Sequence, residues 1–298
     1  MSEPRAGVVA VVGRPNVGKS TLMNRLIGQR LSITAGRPQT TRHRIQGVYT
    51  EGDLQVVLVD TPGLHGDARK QLNRVLNRTA SAALTGVDVA LFVVGVGRWN
   101  DDDALVRDQL ADSGVPVIGV VNQVDRLRDK KEMLPYLETL PQRLDMAAIV
   151  PVSARTGLNV DRLWRTLDAH IPPGEHLFEA DALTDRSERF LAAELVREQL
   201  TRRLGQEVPY ALTVEIDRFD TLDDGRAGID ATIWVEREGQ KAIVIGRQGQ
   251  LLKTVGASAR QAMQRLFGMG VHLALWVKVR ADWSDDRRAL QRFGYDSE

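Results

Sequence analysis

Gly13, Arg14, Pro15, Asn16, Val17, Gly18, Lys19 and Ser20 spell the pattern G-x-x-x-x-G-K-[ST]. These residue types suit phosphate binding. The glycines let backbone N–H groups turn toward phosphate oxygens, and the N-terminus of the helix that follows adds partial positive charge there. Lys19 can reach the β- and γ-phosphates, and the Ser20 hydroxyl can enter a Mg²⁺ shell. Thr21, next along that helix, joins the candidate nucleotide-binding set. About 45 residues beyond the loop stands Asp60-Thr61-Pro62-Gly63. A carboxylate there can hold Mg²⁺ through water, and the Gly63 N–H can meet a γ-phosphate. Alone, D-x-x-G is a weak signal; at this distance from a phosphate loop it is a strong one.

Asn122-Gln123-Val124-Asp125 supplies the base-reading chemistry. An Asp carboxylate accepts two hydrogen bonds from the N1–H and N2–H₂ edge of guanine, and adenine offers no such donor pair. The sequence therefore points to GTP rather than ATP. The usual motif is N-K-x-D, and Gln123 stands where Lys is expected. Gln keeps part of the stem and loses the charge, so guanine selectivity is expected to persist with somewhat weaker affinity. Ser153-Ala154 fits by position a loop whose backbone touches the base. Leu64, after Gly63, cannot hydrogen-bond an attacking water, so something else must hold that water or hydrolysis is slow without a partner. His65 reads as a surface residue rather than a base.

The elements that must position these groups are legible as periodicity. Val-rich runs at residues 8–12, 55–59, 89–94, 115–121 and 147–150 alternate with amphipathic stretches at 71–83, 102–111 and 131–140. Apolar strands with intervening helices predict a doubly wound, mainly parallel α/β sheet. Residues 45–50 and 55–59, joined by Glu51-Gly52-Asp53-Leu54, read as a hairpin, so one strand is expected to be antiparallel. Pro172-Pro173-Gly174 closes this domain at residue 173, and a polar linker is expected over 174–187.

Residues 188–298 read as a second, α+β domain with a C-terminal extension. Residues 188–204 and 251–266 are helical, and 210–219, 228–236 and 271–279 alternate apolar and polar. Gly246-Arg247-Gln248-Gly249 lies between Lys241–Ile245 and the second helix. Residues 242–245 look β-like locally. The order helix, two strands, G-x-x-G unit, helix, strand resembles a type II KH domain, which instead makes them a short helix. In that module the loop clamps about four single-stranded nucleotides. Lys241, Ile245, Gly246, Arg247, Gln248, Gly249 and Lys253 are thus the candidate RNA-binding residues. Trp234 and Trp276 are expected in the core.

Charge supports this placement. The chain of 298 residues carries 40 Lys+Arg, 39 Asp+Glu and no Cys. Zero cysteine excludes disulfides, thiol nucleophiles and cysteine metal sites, and fits a reducing cytosol. The net +1 hides a pattern: eight bases and one acid lie within 237–280, inside a region from 174 onward with 18 bases and 21 acids. A basic window on the G-x-x-G loop is the footprint of a local RNA site. No run of 18 apolar residues argues for a membrane span.

The motif order, with Gln39-Thr40-Thr41-Arg42-His43-Arg44, resembles the Era family of GTPases followed by a type II KH domain, over nearly the whole chain. The resemblance implies GTP hydrolysis to GDP, with Lys19, Thr41 and Gly63 as the catalytic set. It implies that a switch threonine, Thr41 with Thr40 as runner-up, joins Ser20 and Asp60 at Mg²⁺ only when GTP is bound. Asn16 matches a position that in related GTPases holds K⁺. It also implies a monomer that binds the 3′ end of 16S ribosomal RNA, acts in assembly of the small (30S) subunit, and associates peripherally with the inner membrane from the cytoplasm. The rival class is a GTP-gated membrane or protein scaffold without salt-dependent RNA binding.

Overall fold

The Val-rich runs become strands, the central ones buried on both faces, and the helices between them cover the sheet. In the computed structural model, residues 3–37, 39–63, 71–205 and 208–295 are described. The order of elements is β1 (Arg5–Val12), α1 (Lys19–Ile27), β2 (Ile45–Glu51), β3 (Leu54–Asp60), α2 (Gln71–Ala82), β4 (Val89–Gly95), α3 (Asp101–Ser113), β5 (Val117–Asn122), α4 (Met133–Thr139), β6 (Ala148–Pro151) and α5 (Val160–Asp168). The six strands lie in the order β2-β3-β1-β4-β5-β6. β2 pairs with β3 antiparallel, as the hairpin reading required, and the other pairings are parallel.

Register explains why the motifs meet. Val11 lies opposite Asp60, Gly95 opposite Asn122, and Val121 opposite Pro151. The phosphate loop, the 60–63 turn, the 122–125 turn and the 153–154 loop therefore leave one edge of the sheet. In a doubly wound fold the carboxyl ends of the strands are where ligands bind.

The stretch expected as a polar linker is tied to the first sheet. Thr184 bridges to Gly47, and the Val48 N–H donates to the Leu183 carbonyl at 2.9 Å. The buried Gln55 amide accepts from the N–H groups of Leu177 and Phe178 and donates to the Phe178 carbonyl.

The second sheet is β7 (Leu212–Thr221), β8 (Ala227–Val235) and β9 (Val271–Val279). β7 and β8 are antiparallel, and β8 and β9 are parallel. α6 (Glu188–Arg203), α7 (Glu238–Ile245) and α8 (Gln250–Phe267) accompany it, and α9 (Arg287–Arg292) follows β9. Residues 242–245 are helical, as the module demands and local propensity does not. Ile229, Ile233 and Val235 of β8 and Val271 of β9 enter the core with Leu195, Leu200, Val255 and Met263 of the helices. Alternate residues of β9 face away. Trp276 is 47% exposed, which corrects the expectation that it is core. Trp234 is half-buried, with Lys278 and Arg292 over its ring and its indole N–H on Glu215.

The two compact units do not follow chain order. The first runs to Ser32, resumes at Thr41 and includes Leu76–Asp185; the second contains Ile33–Thr40, the stretch ending at Val75, and the chain from Arg186. Among the described residues, no helix is long and apolar enough to cross a membrane.

Candidate nucleotide site and RNA-binding loop

The phosphate loop folds around its own lysine. Lys19 Nζ donates to the carbonyls of Gly13 at 2.8 Å and Arg14 at 3.0 Å. Burial pushes this ammonium down to about 8, against the pull of the Asp60 carboxylate. Gly63 packs directly on the loop, where a Cβ would come within 2.7 Å of the Pro15 nitrogen. Thr61 Oγ1 donates to the Val11 carbonyl, and Pro62 is buried. Val17 is buried, and Thr21 is half-buried on α1.

Three oxygens converge beside Lys19. Ser20 Oγ lies 2.8 Å from Thr41 Oγ1, and Thr41 Oγ1 donates to Asp60 Oδ2 at 3.3 Å. Thr40 turns elsewhere, its hydroxyl donating to the carbonyls of Arg37 and Ala35. The geometry thus favours Thr41 over Thr40. Asp60 is fully buried, and burial pushes its carboxyl up against the opposing effects of the Ser20 hydroxyl and Lys19. Its Oδ1 is buried without a hydrogen-bond partner among the described residues. A bare carboxylate oxygen beside two hydroxyls is a hard-oxygen set that fits Mg²⁺. Among the described residues no cluster of three or more His, Cys, Asp or Glu could hold a metal.

The base-reading turn is rigidly wired. Asn122 Nδ2 donates to the Val17 carbonyl at 2.8 Å, and its Oδ1 accepts from the N–H groups of Gln123 and Ala154. One buried side chain thus joins the phosphate loop, its own turn and the 153–154 loop. Asp125 Oδ1 accepts from Ser153 Oγ at 2.6 Å, and Oδ2 accepts from Arg155 Nε at 3.0 Å and Nη2 at 2.5 Å. The Ser153 hydroxyl, then Arg155, holds this carboxyl below its ordinary range. Arg155 is exposed. Gln123 Nε2 donates to the Asn16 carbonyl at 2.9 Å, and its Oε1 accepts from Arg126. The amide thereby ties the guanine turn to the phosphate loop without a charge. Arg14 points away from the phosphate cradle toward Asp103, a partner that sequence reasoning missed. The sequence marked only an amphipathic stretch at 102–111 there and nothing of Arg14. Leu64 and His65 lie outside the described residues.

In the second unit, α7 ends at Gly246 with φ 72°, where a Cβ would come within 2.6 Å of Leu251 Cβ. Gln248 and Gly249 are also left-handed, with φ 53° and 76°. This sharp turn presents Arg247 and Gln248 to solvent, with exposed Lys253 on the first turn of α8. Lys241 and Ile245 are half-buried along α7, and Lys241 is within 3.8 Å of Glu238.

A family model described as a 50S ribosome-binding GTPase matches residues 8–123, and a KH-domain model matches residues 207–284. The GTPase Era of Azotobacter vinelandii is 55% identical over 292 residues, covering 98% of this chain and 97% of that one. The chain belongs to the GTPase Era family. The GTPase Era of Cronobacter sakazakii is 50% identical over 297 residues, covering 99% of each chain. Two solved Era structures superpose with a TM-score of 0.94 at 36% identity, over 98% of this chain and 99% of each of theirs. One is Aquifex aeolicus Era with GDP and AlF₄⁻, and the other is Era with MgGDPNP and nucleotides 1506–1542 of 16S ribosomal RNA. The Era family assignment accounts for both compact bodies of the chain: the G domain with its six-stranded sheet, and the KH domain with its G-x-x-G turn.

Proposed function

We propose that this Era-family GTPase uses GTP hydrolysis as a switch on RNA binding, and that its RNA is the 3′ end of 16S ribosomal RNA during assembly of the 30S subunit. The observation that carries the switch is the Ser20–Thr41–Asp60 convergence. When bound, Mg²⁺ would supply charge neutralisation and Lewis acidity between the phosphates and these three oxygens. Lys19 would transfer its hydrogen bonding from loop carbonyls to phosphate oxygens. The Gly63 N–H would meet the γ-phosphate, so GTP orders Thr41 and Gly63 and hydrolysis releases them. Asp125 would read guanine once Arg155 withdraws, with Asn122, Gln123, Ser153 and Ala154 fixing its setting.

The RNA reading rests on the strained, exposed G-x-x-G turn, its basic neighbours, and the Era complex with a 16S ribosomal RNA fragment. RNA affinity measured with GTP and with GDP across a salt series tests it. Salt-independent or absent binding would favour the scaffold reading instead. Asn16 is exposed with φ 64°, beside the phosphates' expected place, and is our candidate K⁺ ligand. Equal single-turnover rates in Na⁺ and K⁺ would reject it. The family resemblance further implies a cytoplasmic monomer with peripheral inner-membrane association, which sizing and vesicle sedimentation check.

A further inference from the structure

We propose that Asp103 is a positioning residue for the nucleotide: through its ion pair with Arg14 it fixes the leading half of the phosphate loop. The inference rests on the GTP site argued above and names the element that holds it in shape. The leading half of the loop is conformationally costly. Gly13 has φ 152° and Asn16, a non-glycine, has φ 64°. Left-handed backbone at a non-glycine residue persists only where surrounding contacts over-determine it. The carbonyls of Gly13 and Arg14 are occupied by Lys19, which a phosphate would draw away. Two side-chain ties remain on this half. Gln123 Nε2 holds the Asn16 carbonyl, and Arg14 Nε donates to Asp103 Oδ2 at 2.9 Å.

Asp103 is an unusual carboxylate. It is fully buried at the third position of α3. Its Oδ2 also accepts from the Asn100 N–H, while the Asn100 side chain accepts from the Asp103 N–H. Its Oδ1 is buried with no hydrogen-bond partner among the described residues. Tyr136 Oη is likewise buried without one. Asn100 already caps α3 without a charge, so the cap alone does not require a buried carboxylate at Asp103. The charge is needed by Arg14, whose side chain is 19% exposed. A Cβ built on Gly95 would lie 3.2 Å from Arg14 Nη2 and 3.8 Å from Gln123 Oε1. The Arg14 and Gln123 side chains therefore cover the same residue at the end of β4, and the two ties brace the loop from one platform.

The loop binds phosphate in the ground state and in the transition state alike, so the brace should govern affinity rather than turnover. The test uses the full chain and equilibrium titration of GDP and a non-hydrolysable GTP analogue, with steady-state hydrolysis alongside. Asp103→Asn keeps the size and cap acceptor and removes the charge. It is expected to raise Kd for both nucleotides and KM about ten-fold, the low end for loss of a positioning partner, with kcat within about two-fold. Arg14→Met combined with Asp103→Asn leaves no lone buried charge, and should match the single Asp103→Asn variant rather than exceed it. Asn100→Ala weakens the α3 cap without touching the ion pair. It should lower the unfolding midpoint and leave Kd unchanged. A folded Asp103→Asn or double variant with Kd within two-fold of the parent overturns the proposal. So does a double variant whose loss is the product of independent single losses. Failure of all nucleotide binding to depend on Lys19 would instead overturn the underlying GTP site.

Discussion

Gln123 Nε2 donates to the Asn16 carbonyl at 2.9 Å, so the guanine turn and the phosphate loop are joined by an uncharged amide. Arg126 Nη1 donates to the other end of that amide at 2.8 Å and fixes its orientation. An ammonium at this position would meet the like charge of Arg126. The tie itself is a neutral hydrogen bond worth about 1 kcal/mol. Gln123→Ala is expected to raise Kd for GDP about five-fold, while Gln123→Lys stays within about three-fold of the parent. Fluorescent-nucleotide titration checks both, and a tighter Gln123→Ala variant would contradict the tie.

Asp125 should keep its negative charge well into acid. Its folded-state carboxyl is held below the ordinary value by the Ser153 hydroxyl first and by Arg155 after it, with burial opposing. A depressed carboxyl contributes fully above its unfolded value and loses that contribution only as pH falls through the lower folded one. GDP affinity is therefore expected to stay flat from pH 7 to about 5. Ser153→Ala should move the acid limb upward, toward ordinary carboxylates. Asp125→Asn replaces an acceptor by a donor–acceptor pair and should shift preference from guanosine to xanthosine nucleotides. Competition titrations at two pH values measure both effects.

Thr41 and Thr40 are adjacent, yet their hydroxyls do different work. Thr41 stands with Ser20 and Asp60, and Thr40 closes a turn onto Arg37 and Ala35. Thr41→Val is expected to weaken Mg²⁺-dependent binding of a GTP analogue about ten-fold or more and leave GDP nearly unchanged. Thr40→Val should affect both nucleotides alike and mildly. Equal selective losses in the two variants would remove the case for Thr41.

The phosphate loop, the 60–63 turn and the guanine turn were legible because each is a local string whose meaning survives without partners. The G-x-x-G helix was legible only through the order of its neighbours, since residues 242–245 carry no helical period of their own. Three features were not legible. Trp276 sits in an alternating strand, and alternation alone does not say which face the helices will cover. Arg14 and Asp103 are brought together by strand order, and each string reads locally as something else. α6 reads as a leucine-striped amphipathic helix, yet its polar residues Glu194, Arg197, Glu198, Gln199 and Thr201 are also buried. Their partners include Thr34 and Thr40, far away in sequence, and no periodicity reports them.

Those α6 contacts yield the last prediction. Within the second unit, the Glu198 carboxylate accepts from the Thr34 N–H at 2.8 Å, and Arg202 Nε donates to the Thr34 carbonyl at 3.0 Å. Arg197 donates to the Thr40 carbonyl and pairs with Glu194 at 2.6 Å, both side chains nearly inaccessible. Charges on one helix thus grip both ends of the segment that leads into Thr41. Removing one member of a buried pair leaves the other unpaired and costs about 3–5 kcal/mol. Arg197→Met should lower the urea midpoint accordingly, and adding Glu194→Leu should restore most of it, because no lone charge then remains. Glu198→Gln keeps an acceptor for Thr34 and weakens the Arg202 pair. It should speed hydrogen exchange at the Thr34 amide while scarcely moving the midpoint. If Arg197→Met unfolds no more easily than the parent, the buried pair does not hold the Thr40 end of this segment.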